Sequence, residues 1–217
     1  MIELMKQGGP MMVPLLCLSV LAVAVVIERA LFWVNQWRSR DRALVNRILK
    51  FVEEGDLDQA SQFGPKTKDF VARTLLNGLR HRFYSLSLAL ETQSLIELKK
   101  MKKNLVTLDT IITAAPLLGI LGTVLGIILS FNLMGFQGVQ DPKLVTGGIA
   151  QALITTAFGL SIALVTLFPF NYFQSRYTEA IEELENTCST LEILVDKLKG
   201  NKSSSQSSEE KLNENLS

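Results

Sequence analysis

The sequence predicts an all-α membrane protein that crosses the bilayer three times and carries long helical extensions in the cytoplasm. Three stretches without a charged side chain or histidine support this prediction, namely residues 7–27, 110–140 and 144–175. A helix needs about 20 apolar residues to cross a hydrocarbon core, so each stretch is long enough. Backbone in lipid must be helical or form a closed barrel, and these stretches lack the strict alternation of barrel strands.

The positive charges indicate how the chain is threaded through the membrane. The net charge of +1 gives no sign of nucleic-acid binding, but basic residues cluster beside the spans. The clusters are Arg29, Arg38, Arg40 and Arg42 after the first span, and Lys99, Lys100, Lys102 and Lys103 before the second. Because such charges remain on the cytoplasmic side, we expect a periplasmic N-terminus and a cytoplasmic C-terminus.

In chain order, the sequence predicts eight segments. They are a periplasmic N-terminus (1–9), a first transmembrane helix (10–36), a cytoplasmic helical region (37–104), a second transmembrane helix (105–135), a short periplasmic loop (136–143), a third transmembrane helix (144–175), a cytoplasmic helix (176–200) and a disordered tail (201–217). Trp33 and Trp37 occupy the position of an interfacial aromatic belt at the end of the first span. A signal peptide is the alternative for that span, but the basic cluster after it favours an uncleaved helix.

The first cytoplasmic helices are predicted from apolar spacing and from breakers. Leu44, Ile48 and Val52 recur at helical intervals. Gly55 ends that helix, and Asp56 can cap a short second one. The simplest interpretation of this region is a scaffold that holds the spans in register.

Two longer helices are expected to leave the membrane without interruption. No breaker occurs between Leu86 and Pro116, so we predict one helix from about Ser85 to Met134. An apolar stripe likewise continues beyond the third span as far as Leu198. The final residues are polar and low in complexity, which predicts disorder.

The second and third spans each have one face of small and weakly polar side chains. On a helical wheel, Thr123 and Ser130 share one side of the second span, and Thr155, Thr156 and Gln151 share one side of the third. A single Thr can bond its own helix carbonyl, but this grouping indicates a polar surface that faces protein or water. The accompanying small residues, which favour close helix packing, are Pro116, Gly119, Gly122, Gly126, Gly148 and Gly159.

The chain offers little other chemistry. It shows no nucleophile triad, metal cluster or phosphate loop, so we predict neither an enzyme nor a cofactor. Cys17 and Cys188 fall in different segments and predict no disulfide or metal site. Asp109 stands at the cytoplasmic threshold of the second span, where it is either an interfacial charge or a proton exit.

The spans also carry a resemblance to a known family. The segments LDTIITAAPLLGILGTVLGIILSF (108–131) and GGIAQALITTAFGLSIALVTLFPFNYF (147–173) closely resemble the two signature spans of the MotA/TolQ/ExbB proton channel family. The segment GGPMMVPLLCLSVLAVAVVIERALFW (8–33) resembles the first span of its ExbB/TolQ branch. The likeness covers roughly residues 1–199, and three spans rather than four point away from the flagellar-stator branch.

This resemblance implies a ring of subunits, a partner protein and a proton-driven function. Five such subunits would form an inner-membrane ring whose second and third spans line a central pore, with Thr123 and Thr156 at the family's pore threonines. A single-span partner of the ExbD/TolR type would bring the intramembrane Asp that these spans lack. Proton flow would then drive the partner to act on an envelope target, such as a TonB- or TolA-like protein that spans the periplasm.

One position departs from the family's pattern, and a second function stays open. Many relatives have Glu where this chain has Gln151, and an amide can hydrogen-bond but cannot titrate. The packing residues and long helices would equally suit a non-conducting membrane scaffold or assembly protein. A secondary transporter is a weaker alternative, because three spans without inverted repeats offer no midplane site.

Overall fold

The computed structural model describes the backbone of residues 9–62, 67–137 and 142–214, and the side chains of residues 9–62, 67–132 and 146–200. The regular elements within these ranges are all helices, which we number in chain order. They are α1 (Met12–Arg38), α2 (Arg42–Glu53), α3 (Leu57–Gln62), α4 (Phe70–Arg80), α5 (Arg82–Lys102), α6 (Leu105–Gln137) and α7 (Pro142–Glu214). The predicted periplasmic N-terminus falls outside the described residues except for Gly9, and so does the middle of the predicted 136–143 loop.

Three stretches of the described helices are long and apolar enough to cross a membrane. They lie within Met12–Arg38, Arg82–Asn132 and Thr146–Gly200. Pro116 and Pro169 lie inside α6 and α7, and membrane helices tolerate Pro because neighbouring groups satisfy the freed carbonyl. The prediction of an all-helical protein with three apolar spans is thereby confirmed.

The chain forms two compact units. The first contains Met1–Phe32 and Lys103–Ser175, and we call it the apolar unit. The second contains Trp33–Lys102 and Arg176–Ser217, and we call it the polar unit. The candidate functional residues of the second and third spans all belong to the apolar unit.

The apolar unit has a small core and a large apolar exterior. Its core joins α1, α6 and α7 through Met12, Leu15, Ala22, Ile111, Ala115 and Ile162. Many large side chains of the same helices are exposed, among them Leu31, Leu117, Phe131, Val165 and Phe168. An exterior of this kind would be unfavourable in water, so it is consistent with helices that lie in lipid.

The junction between α5 and α6 contradicts the predicted uninterrupted helix from Ser85 to Met134. α5 ends at Lys102 and α6 begins at Leu105, and Asn104 between them has a φ of 64°. Asn adopts this left-handed conformation more readily than most residues. Its side-chain amide also donates to the Glu28 carboxylate over 3.0 Å. The prediction of an uninterrupted helix was wrong because the hydrogen-bond partner of Asn104 lies 76 positions away in the sequence, where a local pattern does not show it.

The polar unit is organised around α4, which is buried along most of its length. Asp69 caps α4 by accepting hydrogen bonds from the backbone of Val71 at 2.8 Å and of Ala72 at 3.0 Å. Arg40 donates to Asp69 and to Glu183 of α7, so one guanidinium joins three parts of this unit. As expected, Asp56 caps the short helix α3, accepting from the Gln59 backbone at 2.9 Å.

The predicted disordered tail, residues 201–217, stays a prediction. α7 continues through the Ser-rich segment to Glu214, and residues 215–217 lie outside the described range. The segment after Gly200 contains no Pro and no further Gly, so no residue in it forces the helix to end.

Candidate functional site

The candidate site begins with two threonines that meet across α6 and α7. The hydroxyl of Thr123 contacts the hydroxyl of Thr156. Thr156 also donates to the Gly119 carbonyl over 2.9 Å, and the Thr123 hydroxyl lies 3.2 Å from the carbonyls of both Gly119 and Ala152. Each hydroxyl can donate one hydrogen bond and accept others. With one proton each, the two hydroxyls can form a short chain in which Thr123 donates to Thr156 and Thr156 donates to the Gly119 carbonyl.

Small residues allow the two helices to approach closely enough for this contact. A Cβ at Gly119 would lie 3.0 Å from the Thr156 Cα, and a Cβ at Gly159 would lie 2.5 Å from the Ala115 carbonyl oxygen. Backbone therefore packs directly on backbone beside the two threonines. A larger residue at Gly119 or Gly159 would push the helices apart and separate the hydroxyls.

Thr155 is neighbour to this pair but faces a different side of α7. It is 1% exposed, and its hydroxyl donates to the Ala152 carbonyl at 2.7 Å. A Cβ at Gly122 would lie only 2.6 Å from the Thr155 hydroxyl and 3.4 Å from the Met11 Cβ. Thr155 is thus enclosed near the beginning of the first span, whereas Thr123 and Thr156 remain half-buried.

Ser130 lies farther along α6, about 10 Å from Thr123 at 1.5 Å per residue. Its hydroxyl donates to the Gly126 carbonyl of its own helix over 2.9 Å. The side chain fills the space beside Gly148, where a Cβ would overlap the Ser130 oxygen. A Cβ at Gly126 would lie 2.9 Å from the Ala152 Cβ, so close packing of α6 on α7 continues to this level.

Gln151 and Asp109 lie apart from the threonine pair. Gln151 is half-buried, and its amide packs against Gly9, just before α1. Asp109 is exposed, and its 14-residue separation from Thr123 places it about 21 Å away along α6. The structure therefore brings Thr123 and Thr156 together, with Thr155 next to Thr156 in the sequence, and leaves Gln151, Ser130 and Asp109 apart from the pair.

A charged cluster at the other end of the spans was not predicted as a unit. Arg29 is 2% exposed, donates to Glu28 over 2.6 Å and stacks on the Phe32 ring at 4.6 Å. Asn104 completes the cluster through its bond to Glu28. A Glu–Arg pair at the end of an uncharged stretch was visible in the sequence, but the contribution of Asn104 was not. The cluster ties the end of the first span to the start of the second.

The hydroxyls of Thr123 and Thr156 can donate and accept hydrogen bonds, but they neither gain nor lose a proton at neutral pH. Residues 110–140 and 144–175 contain no Asp, Glu, Lys, Arg or His. Among the residues that the structure describes, no group of His, Cys, Asp or Glu is arranged to hold a metal ion. The chemistry that these two side chains offer is therefore hydrogen bonding.

The sequence of the chain is similar to that of a known protein family. The profile of the MotA/TolQ/ExbB proton channel family matches residues 66–186, which is more than half of the chain. The chain belongs to this family. Membership makes it a channel-type membrane protein rather than a member of an enzyme class, and the three apolar helices agree with a multi-pass protein. The resemblance seen in the sequence is confirmed.

Individual relatives extend the match beyond the family profile. An ExbB-like biopolymer transport protein of Synechocystis sp., numbered 3, is 37% identical over 86% of this chain and 91% of its own length. A second Synechocystis protein, ExbB-like 1, is 34% identical over 87% of this chain and 76% of its own. An ExbB homologue of Methanothermobacter thermautotrophicus is 27% identical, with 85% and 66% covered. These MotA/TolQ/ExbB relatives point to the ExbB branch.

Proposed function

We propose that this chain is the proton-channel and motor subunit of an inner-membrane complex of the ExbB–ExbD or TolQ–TolR type. The complex would convert the proton motive force into mechanical work on envelope or outer-membrane partners. The contact between the Thr123 and Thr156 hydroxyls is the observation that carries the proposal. It is a polar surface within residues 110–140 and 144–175, which contain no Asp, Glu, Lys, Arg or His.

The chemistry of that surface argues for a second subunit. A proton that crosses a membrane needs a titratable group at depth, and the hydroxyls supply only donors and acceptors. We infer that a single-span partner of the ExbD/TolR type brings an intramembrane Asp to the threonines. A TonB- or TolA-like protein would then receive the motion. Each elementary charge that crosses 100 mV releases about 2.3 kcal/mol, so a few protons suffice to move a helix.

Assembly into a ring would place the threonines at a pore. Thr123 and Thr156 are half-buried in the single chain, so each keeps one side for an additional neighbour. We propose a homo-oligomer, with five copies as the expected number, in which α6 and α7 line the centre. The N-terminus would face the periplasm and the C-terminus the cytoplasm, as the basic flanks predict.

Reconstitution with the partner tests this function. The chain is co-expressed with a neighbouring gene product that has one span and a mid-span Asp, and proton flux is measured in liposomes under a membrane potential. We expect flux from the complex only, and we expect replacement of the partner's Asp by Asn to abolish it. Vigorous flux through rings of this chain alone would refute the proposal, because it would mean that no borrowed carboxyl is needed.

The same experiment distinguishes the second candidate, a non-conducting scaffold. The direct backbone packing of Gly119 and Gly159 against the opposite helix favours a rigid assembly, and a scaffold needs nothing more. A scaffold would bind the partner without conducting protons. A stable complex with no flux would therefore support this alternative and exclude the motor.

A further inference from the structure

The residue just before the first span makes a contact that no pattern in the sequence indicated. Gly9 has a φ of 68°, a conformation that glycine adopts without steric cost. A Cβ at this position would overlap the Gln151 amide nitrogen and would lie 2.9 Å from its Cδ and 3.6 Å from its Cγ. Position 9 therefore requires glycine for its backbone conformation and also for the space that Gln151 occupies.

The turn that contains Gly9 is fixed to the rest of the apolar unit. The backbone of Met12 donates to the Gly9 carbonyl at 3.1 Å, and that of Val13 donates to Pro10 at 3.3 Å. Met12 is 1% exposed and Leu15 is fully buried, and both belong to the core shared with α6 and α7. The contact with Gln151 is thus made by an anchored turn.

Along α7, Gln151 directly precedes a residue whose carbonyl the hydroxyls of Thr123 and Thr155 approach. The next residue, Ala152, offers the carbonyl that Thr155 bonds at 2.7 Å and that lies 3.2 Å from the Thr123 hydroxyl. Gln151 also precedes Thr155 by one helical turn. The Gln151 amide can both donate and accept hydrogen bonds, so its orientation determines which polar atoms it presents one helical turn before Thr155.

We propose that Gly9 is a positioning residue: its turn fixes the Gln151 amide one helical turn before Thr155 and so shapes the proton route along this part of α7. The contact itself is independent of the proposed function, whereas its effect on proton flow rests on that function. Gly9 acts only through Gln151 and donates no proton.

A disulfide tests the contact. In a Cys17→Ser, Cys188→Ser background, Gly9→Cys combined with Gln151→Cys should form an intramolecular disulfide upon mild oxidation in native membranes. The control combines Gly9→Cys with Leu153→Cys, because Leu153 is 61% exposed and lies on another side of α7. A disulfide in the first pair alone supports the proposal. No disulfide in the first pair, or equal yields in both pairs, would overturn it.

A double-mutant cycle tests the role in proton flow. In the complex with the single-span partner, Gly9→Ala should lower proton flux on the order of tenfold, since small misplacements carry such penalties. The same change should have little further effect when Gln151→Ala is already present, because the overlapping atoms are gone. A role through Gln151 would be refuted if Gly9→Ala lowered the proton flux by the same factor in the Gln151→Ala background. It would also be refuted if Gly9→Ala caused no loss of flux.

Two glycine variants control for other causes of a loss. Gly55→Ala introduces the same backbone strain, at a φ of 86°, but its Cβ meets only a Leu198 methyl group at 3.7 Å. Gly147→Ala is close to Gln151 along α7, and its Cβ meets nothing within 4 Å. Both variants should keep most of the flux. If the unaltered complex carries no flux, the proposed function fails, and the disulfide alone then decides the contact.

Discussion

Thr123 and Thr156 are the residues through which α6 and α7 exchange hydrogen bonds. Helical periodicity assigned each threonine to a small, weakly polar face, and it left open whether either hydroxyl only bonds its own helix. In the structure Thr123 reaches the Ala152 carbonyl on α7, and Thr156 reaches the Gly119 carbonyl on α6. Thr166 keeps the simpler arrangement, a 2.7 Å bond to Ile162 of its own helix. Thr156 and Thr166 of α7 therefore differ, because the Thr156 hydroxyl bonds the opposite helix and the Thr166 hydroxyl bonds its own.

Replacing Thr123 or Thr156 by valine should separate the proposed function from assembly. Thr123→Val and Thr156→Val remove the hydroxyl and keep the shape, and a lost interhelical bond costs only about 0.6 kcal/mol in a membrane. We expect normal expression and oligomer size with loss of partner-dependent proton flux. The measurement is flux in proteoliposomes beside size-exclusion chromatography.

Thr166→Val is the matched control for this pair of variants. Thr166 is buried, belongs to the same helix as Thr156 and bonds only its own backbone. Its valine variant should retain full flux. Equal losses in all three variants would mean that packing, rather than the hydroxyl chain, explains the effect.

In the apolar unit, the helices α6 and α7 pack against each other at glycine residues. α6 and α7 touch backbone to backbone because Gly119 and Gly159 present no side chain at the contact. The sequence predicted small residues for packing, but it did not say which glycine faces which atom. Gly147, also in α7, has open space around it. Glycines on one helix therefore differ in the cost of adding a methyl group.

Gly159→Ala should destabilise the protein, and Gly147→Ala should not. The new methyl group at Gly159 would lie 2.5 Å from the Ala115 oxygen, and overpacking of this kind costs about 1–3 kcal/mol. At Gly147 only the gain in helix propensity of up to about 1 kcal/mol remains. Thermal unfolding in detergent measures both. Similar midpoints for the two variants would contradict the assigned helix contact.

Asp69 joins separate elements of the polar unit. Its carboxylate is fully buried and accepts from the backbone of Asp41 at 2.7 Å as well as from the first turn of α4. Arg40, which bonds it at 3.2 Å, also stacks on Phe70 at 4.6 Å. The sequence showed an acid before a helix, but not the basic partner 29 positions away.

Asp69→Ala should cost about 1–3 kcal/mol, because it leaves the backbone amides of Asp41, Val71 and Ala72 without their buried acceptor, whereas Arg40 keeps its bond to Glu183. Asp58→Ala is the control: Asp58 pairs with Arg82 at 2.6 Å, but its carboxylate is 83% exposed. Such a surface pair contributes at most about 1 kcal/mol. Protease resistance of the two variants in membranes should differ clearly. Equal resistance would show that the Asp69 cluster is dispensable.

At the scale of the whole molecule, the chain combines an apolar unit that exposes large hydrophobic side chains with a polar unit rich in ion pairs. Exposed Leu, Val and Phe side chains surround α1, α6 and the first half of α7. Ion pairs such as Arg73–Glu97 at 2.9 Å occur in the polar unit. This division agrees with the family, whose members are membrane proteins.

The threading of the chain can be tested with accessible tags. A tag after Ser217 and a tag within residues 63–66 should both be protected from externally added protease in intact cells. Both should become sensitive once the inner membrane is opened, because the basic flanks hold these segments in the cytoplasm. A tag before Met1 should be accessible after the outer barrier alone is permeabilised. The opposite pattern would invert the predicted orientation.

The sequence by itself determined the number of spans, their small polar faces and the family. These properties depend on hydropathy and on helical periodicity, which are local along the chain. The tertiary structure decided that Thr123 meets Thr156, that Asn104 interrupts the second long helix and that Gly9 packs on Gln151. The two contacts, and the bond from Asn104 to Glu28, each join residues that are distant in the sequence. They depend on the rotation and depth of one helix against another, which backbone packing between helices sets and which no single stretch of sequence encodes.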